Sequence, residues 1–222
     1  MHDNIQNPTG GSKHVPFKKT PHFIVYGVVK RILDCFFAAI ALLFAALPML
    51  CIALAVKLTS KGSAVFKQPR VGKNGELFEC LKFRSMYVNA PSSCATAELA
   101  KADSYITPIG RLLRKTSLDE LPQLINILKG EMSFIGPRPL IPEEEFIHRE
   151  RKKNGVYNLR PGISGLAQIK GRDLVQPAEK VKLDTEYLNK IGLIEDIYIL
   201  LQTVLNVISE KDIHEGEIDS DK

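Results

Sequence analysis

Between Asp34 and Lys57 the chain runs for 22 residues, Cys35 to Val56, with no charged or hydrogen-bonding side chain apart from the thiols of Cys35 and Cys51. As one straight helix this run reaches ~33 Å at 1.5 Å per residue, just enough for a hydrocarbon layer of ~30 Å. Pro48 interrupts it. A proline inside a helix removes a backbone donor and crowds the preceding turn. Cys35–Leu47 is then left at ~20 Å and Met49–Val56 at ~12 Å, each too short to cross a bilayer alone. Lys13, Lys18, Lys19, Lys30 and Arg31 precede the run, and Lys57, Lys61, Lys67, Arg70 and Lys73 follow it. Cytoplasmic ends carry the excess of Lys and Arg. Both positive flanks are satisfied by a helix, a break and a second helix over residues 23–59 that enter and leave by one face. A re-entrant anchor is the preferred reading; a spanning helix kinked at Pro48 and a buried core helix of a soluble protein are the alternatives.

The remaining composition is that of a folded chain. With 222 residues, 45% hydrophobic and 25% charged, it is long enough for one domain plus an added element. A net charge of +5 is too small for a dedicated nucleic-acid binder, so no nucleic-acid partner is expected. It suits phosphate ligands and anionic membrane lipids. The four cysteines form no C-x-x-C pair and have no histidine at ligand spacing, which argues against a zinc site or a disulfide framework and fits a reducing compartment. Residues 1–22 read as a flexible basic segment without the apolar core of a signal peptide. Residues 209–222 form an acidic tail, with six acids and two lysines from Glu210 onward, and should be disordered. A single domain is expected over residues 60–208.

Within that domain, Ala64–Gln68 and Leu77–Phe83 are strand-like runs separated by a segment containing Asn74-Gly75, which predicts a β-hairpin. Asn89–Asp103 reads as a loop with one short helix near Ala97–Lys101. Leu118, Leu121, Ile125 and Leu128 recur at helical spacing, so a helix is expected from Ser117 until Gly130 ends it. Glu143–Lys153 is a charged helix with a solvated face. Ile194, Ile197, Leu201, Val204 and Ile208 form an apolar stripe expected to pack on the core, with the lipid headgroup boundary as the alternative.

The chemistry centres on Asp119-Glu120. Ser117 and Glu120 fit an S-x-x-E capping box, in which both side chains satisfy free backbone donors at a helix start, and this structural role competes with a catalytic one. Pro122 complicates the register, because it is comfortable only in a first turn. The catalytic reading gains from surrounding cations in segments punctuated by Gly and Pro: Arg70, Lys82, Arg84, Arg111, Arg114, Arg138, Arg160 and Arg172. Arginine's planar fork matches phosphate oxygens, and a carboxylate beside bound phosphate serves as a nucleophile or a Mg²⁺ ligand. The phosphate-binding loop of nucleotide hydrolases, the dinucleotide fingerprint, the H-E-x-x-H zinc motif and the G-x-S-x-G elbow are all absent. Asp219-Ser220-Asp221, the one D-x-D motif, falls in the acidic tail and is read as chance.

Several motifs in a fixed order resemble the bacterial sugar transferases, the monotopic polyprenyl-phosphate phosphoglycosyl transferases, in their minimal form. They are KRILD (30 to 34) before the apolar run, FKQPRVG (66 to 72), LKFRSM (81 to 86), SLDELPQLINILKGEMSFIGPRPL (117 to 140) and RPGISGLAQIKGRD (160 to 173). The resemblance implies an α+β, predominantly helical fold. A re-entrant N-terminal membrane helix would join a small cytosolic domain with a β-hairpin and interfacial amphipathic helices, at the cytoplasmic face of the bacterial inner membrane. It implies transfer of a sugar-1-phosphate from a UDP-sugar to undecaprenyl phosphate with release of UMP, opening assembly of a lipid-linked glycan or exopolysaccharide. Asp119 would be the nucleophile and form a phosphosugar-aspartyl intermediate. Glu120 would help bind Mg²⁺. Arg70, Lys82, Arg84, Arg114, Pro137, Arg138 and Arg160 would form the substrate-binding set, while Lys30, Arg31, Asp34 and Pro48 would anchor the helix near lipid phosphates. Leu47 replaces the Ser common before the proline, and Leu166 replaces a frequent Trp. The minimal form is expected because 29 residues before Lys30 are too few for the extra N-terminal membrane helices of larger members. Two competing readings stay open: a non-catalytic membrane adaptor that binds anionic headgroups, and an enzyme transferring the sugar alone, which releases UDP.

Overall fold

A computed structural model describes residues 18–90, 102–171 and 175–208. The short helix expected near Ala97–Lys101, Arg172, the acidic tail and most of the basic N-terminal segment lie outside them. The chain begins with one long helix, α1 (Pro21–Thr59), capped by the Thr20 side chain, which accepts from Phe23 N at 3.1 Å. Helical structure continues through Pro48 without interruption. The helix, break and second helix expected over residues 23–59 are therefore one 39-residue helix that starts two residues earlier. Proline inside a helix costs ~3 kcal/mol relative to alanine. Packing on both sides of Pro48 offsets that cost: Ala41, Leu42 and Ala45 rest on one core cluster, and Met49, Ile52 and Ala53 on another.

The inward face of α1 is built largely from small residues at helical spacing, Ala38, Ala41, Ala45 and Ala53, which let the helix approach the domain closely. Its outward face carries the bulk: Leu43, Phe44, Leu47 and Leu50 are each about two-thirds or more exposed. Among the described residues α1 alone is long and apolar enough to cross a membrane. The polar residues at its base, expected as the membrane anchor, each have a partner within the protein. Arg31 donates to the carbonyls of Ile127 (2.5 Å) and Leu128 (2.9 Å), Asp34 accepts from Phe134 N (3.2 Å), and Lys30 pairs with Asp196 (2.5 Å). A charge buried against protein is held by whatever donor or acceptor the protein offers, and here each finds one.

After α1 come β1 (Val65–Val71) and β2 (Leu77–Phe83), an antiparallel pair, as expected from the sequence. Asn74 and Gly75 both take the left-handed conformation, φ 59° and 79°, in a five-residue connection closed by Gly72 N–H donating to Glu76 O at 2.7 Å. Helices α2 (Ala102–Tyr105) and α3 (Pro108–Lys115) follow. The helix expected from Ser117 is shorter: Leu118–Glu120 forms a single 3₁₀ turn, and α4 (Gln123–Lys129) begins only after Pro122, ending at Gly130 with φ 86°. Proline's missing N–H is harmless at a helix start and damaging inside one, so the helix begins beyond it.

β3 (Ser133–Ile135) and β4 (Gly162–Ser164) pair in parallel and enclose α5 (Glu145–Lys153) in sequence; α6 (Leu166–Ile169), α7 (Pro177–Lys190) and α8 (Leu193–Ile208) complete the fold. The largest core cluster joins Tyr26 of α1, Ile135, Leu166, Leu183, Tyr187 and Ile199. The apolar stripe on α8 faces outward rather than into this core: Ile194 is 86% exposed and Leu201 59%. The core-facing side of α8 is instead Asp196, Ile199 and Thr203, because Tyr26, Lys30 and Tyr187 converge on Asp196, and Thr203 bonds Ser164. The result is α+β and predominantly helical, with two apolar outer faces, on α1 and α8.

Candidate active site

Ser117 adopts a left-handed conformation, φ 55° and ψ 16°, and makes no side-chain cap bond. Such a conformation is uncommon outside glycine and costs of order 1 kcal/mol. The capping box is therefore not formed. The turn at Ser117 swings Asp119 and Glu120 toward β2, where Lys82 Nζ donates to Glu120 Oε1 at 2.7 Å. Asn126 fixes this approach. Its fully buried amide accepts from Leu81 N (3.0 Å) and donates to Glu79 O (2.7 Å), which clamps α4 onto the backbone of β2 beside Lys82.

The third side of the site is the loop after β3. Gly136 and Gly162 let β3 and β4 interlock: Gly136 N donates to Ser164 O at 2.8 Å, and Gly162 N to Pro137 O at 3.0 Å. A Cβ on Gly162 would stand 2.1 Å from Gly136 N. The interlock delivers Arg138, whose Nη1 lies 4.0 Å from Glu120 Oε1. Arg70 approaches from β1, donating to Pro139 O at 3.1 Å and to Gln68 Oε1 at 2.5 Å. Arg70, Lys82, Glu120 and Arg138 thus line one shallow open depression, completed by Cys80, Gln123, Pro139, Gly162 and Ile163.

The charges in the depression tune one another. Burial disfavours ionised Glu120, yet Lys82 and Arg138, with hydrogen bonds from Lys82 and Gln123, lower its carboxyl to about 2. Burial likewise opposes a charged Lys82, and Glu120, aided by Asp119, nevertheless raises its pKa above the usual lysine value. Burial, and Arg138 after it, push the Arg70 guanidinium down from its ordinary value. Three cations and one carboxylate leave the depression positive, a charge balance that suits phosphate oxygens. Asp119, only 7% exposed, stands one residue back on the same turn and is not among the residues lining the depression.

The structure brings Asp119, Glu120, Lys82, Arg70 and Arg138 together and places the other expected binding residues elsewhere. Arg84 ties the end of β2 to the end of α1, donating to Ser60 O at 2.7 Å and Ser60 Oγ at 2.8 Å. Arg114 donates to Ser85 Oγ at 3.0 Å, and Arg160 to Gly130 O at 2.8 Å, beside Arg31. Pro137 lines a neighbouring depression with Tyr157, Arg151 and Pro161. Gln123, absent from the expected set, is nine-tenths and more buried and supports Glu120 from one turn further along. Its spacing of three from Glu120 was the available signal. Among the described residues no group of three or more His, Cys, Asp or Glu forms a metal cluster.

The sequence profile of the family described as bacterial sugar transferase matches residues 25–210. The chain is 37% identical over 215 residues to the UDP-glucose:undecaprenyl-phosphate glucose-1-phosphate transferase of Escherichia coli (strain K12), covering 92% of the chain and 45% of that relative. It is 40% identical over 196 residues to an undecaprenyl-phosphate galactose phosphotransferase of Salmonella typhimurium, covering 81% and 40%. It is also 38% identical over 195 residues to the exopolysaccharide production protein ExoY of Rhizobium meliloti, covering 80% and 84%. The chain thus spans less than half of the first two relatives and most of the third. With the match running from α1 through α8 and including every residue of the cationic depression, the chain belongs to the bacterial sugar transferase family.

Proposed function

We propose that this protein is a phosphoglycosyl transferase that moves a sugar-1-phosphate from a UDP-sugar onto undecaprenyl phosphate and releases UMP. The observation that carries the reading is the pairing of an Asp-Glu turn with Lys82, Arg70 and Arg138 at one depression. An anionic nucleophile cannot approach a diphosphate until the phosphate charge is offset, and the three cations supply that offset before substrate arrives. An Asp119 carboxylate oxygen attacks the phosphorus that bears the sugar; the bond from that phosphorus to the bridging oxygen breaks, and UMP departs with the electron pair. An oxygen of undecaprenyl phosphate then attacks the same phosphorus, and the Asp119 carboxylate leaves unchanged. The covalent intermediate divides one hard displacement between two anions into two easier ones. Lys82 holds Glu120 ionised and in place throughout, and Arg138 and Arg70 bind phosphate oxygens.

The donor set fits Mg²⁺ held jointly with substrate. Glu120, with Asp119 beside it, offers hard carboxylate oxygens, and fewer than a full coordination sphere, so phosphate oxygens and water would supply the rest. Bound there, the ion would neutralise charge on the departing phosphate.

The acceptor is a lipid, and the outer faces of α1 and α8 suit a membrane. Both ends of α1 grip the same folded body. His22 Nε2 bonds Ile191 O at 3.0 Å and Lys30 meets Asp196 at one end, while Val56 packs on Phe83 and Leu113 at the other. That arrangement favours a helix held at the cytoplasmic face of the inner membrane over a spanning one, with anionic lipids around its basic flanks. The reaction would open the membrane stage of a lipid-linked glycan or exopolysaccharide pathway.

The test uses detergent-solubilised full-length protein with Mg²⁺, undecaprenyl phosphate and a panel of UDP-sugars. Wild type releases UMP, and Asp119→Asn releases none; the phosphosugar adduct is found by mass on Asp119. Turnover retained in Asp119→Asn removes the nucleophile assignment. Release of UDP identifies transfer of the sugar alone, and no nucleotide release with intact vesicle binding returns the adaptor reading.

A further inference from the structure

Four consecutive carbonyls in the loop that carries Arg138 are each held by a donor from elsewhere in the fold. Arg151 Nη1 donates to Arg138 O at 2.9 Å, Arg70 Nη1 to Pro139 O at 3.1 Å, Val71 N to Leu140 O at 3.0 Å, and His148 Nε2 bonds Ile141 O at 2.7 Å. Arg151 is the deepest of the four donors. It lies on α5 in a run of charged residues, yet its side chain is 3% exposed and pairs with Asp184 of α7, whose side chain is 2% exposed. Arg151 Nε and Nη2 both reach Asp184 Oδ2, at 2.9 and 2.6 Å, which leaves Nη1 aimed at the loop.

A buried ion pair is a poor source of stability, because hydrophobic residues of similar volume do as well. What this pair does supply is a guanidinium fixed along its Nε–Nη2 edge by one carboxylate oxygen, with its remaining nitrogen directed at the backbone of the residue whose side chain faces Glu120. We propose that Arg151, oriented by Asp184, is a positioning residue that holds the Arg138 guanidinium in the depression through the Arg138 carbonyl. The inference rests on the reading of Arg138 as a phosphate ligand.

Arg151→Lys is the informative variant. A lysine keeps the charge opposite Asp184, but a single ammonium cannot bridge the carboxylate and the Arg138 carbonyl with the guanidinium's geometry. Hydrogen exchange on the full-length protein reads the loop directly. Arg151→Lys speeds exchange of the Val71 amide, which donates to Leu140 O, at least tenfold and leaves the remaining β1 amides and those of β2 at the wild-type level. Binding of UDP, measured by calorimetry, then weakens about tenfold in Arg151→Lys, the size expected for a lost hydrogen bond to a charged group. In an Arg138→Ala background the same substitution produces no further loss.

Wild-type exchange at the Val71 amide in Arg151→Lys overturns the proposal, and this outcome is independent of any turnover. Equal weakening of UDP binding in the presence and absence of the Arg138 side chain also overturns it, since a general structural role would act in both backgrounds. Failure of the transferase reading shows up separately, as wild-type protein that releases no UMP while its Val71 amide still answers to Arg151→Lys.

Discussion

Lys82 and Glu120 keep each other charged, and the consequence is a pH dependence with a definite sign. The folded Glu120 carboxyl lies at about 2, below its ordinary value of 4.5, so its stabilisation is complete above the unfolded value and fades as pH falls toward the folded one. At 1.36 kcal/mol per unit this amounts to about 3 kcal/mol at neutral pH. Glu120→Gln should therefore flatten the loss of stability between pH 4.5 and pH 2 by about that amount, read from denaturant unfolding at a series of pH values; a wild-type acid profile in the variant refutes the assignment. The same depression keeps Glu120 a carboxylate across the range where turnover is measurable, so an acid limb in the rate profile belongs to another group. Asp119, Glu120 and the cations were legible as residues, since their types and order carry the chemistry. Their grouping was not: Arg84, Arg114 and Arg160 carry the same charge in equally loop-like segments, and only the fold sends them to Ser60, Ser85 and Gly130.

At the level of elements the hairpin was the most readable piece, because Asn74-Gly75 supplies two left-handed residues between two strand-like runs. β3 and β4 escaped notice because three-residue strands carry too little pattern. Their pairing depends instead on glycines that become meaningful only when two distant segments meet. Gly162→Ala tests that dependence. The added Cβ would fall 2.1 Å from Gly136 N and 2.4 Å from Ser164 O, both backbone atoms that cannot turn aside. A loss of roughly 1–3 kcal/mol is expected from overpacking of this kind, visible as a lower Tm and faster loss of UMP release on heating. Gly27→Ala is the control: no atom lies within 4 Å of its added Cβ, and alanine is the better helix former, so stability is unchanged or raised. A Gly162→Ala protein as stable as Gly27→Ala shows that the β3–β4 interlock does not require close backbone approach. The boundary of α4 and the outward stripe of α8 were misjudged for a shared reason. Periodicity marks which residues share a face, but Pro122 decides where the helix starts, and a buried Asp196 decides which face of α8 turns inward.

Across the whole molecule the apolar run keeps the property that made it conspicuous, a surface too hydrophobic for water, while its inner alanines bind it to the domain. A helix of 39 residues is ~58 Å long, more than a bilayer's hydrocarbon thickness. If it spanned the membrane, one end would lie on the far side, out of reach of the domain. α1 meets Asp196 and Ile191 near its start and Phe83 and Leu113 near its finish, all on one body whose charged residues, such as Lys67, Glu79 and Arg149, are exposed to water, which is what the proposed placement at one face requires. Pulling either end away would leave Lys30 and Asp196, or Val56 and Phe83, without their partners. The expected outcome is that residues on both sides of α1 are reached from the same membrane face. In a background lacking Cys35, Cys51, Cys80 and Cys94, single cysteines at Lys18 and at Lys61 are both labelled by an impermeant maleimide in inverted membrane vesicles, and neither is labelled in intact spheroplasts. Labelling of the two positions from opposite faces identifies a spanning helix and detaches one end of α1 from the domain. Because Arg84 holds Ser60 at that same end, Arg84→Met should loosen the finish of α1 and speed labelling at Lys61 in inverted vesicles while Lys18 stays unlabelled in intact spheroplasts; an unchanged labelling rate at Lys61 shows that Arg84 does not hold that end.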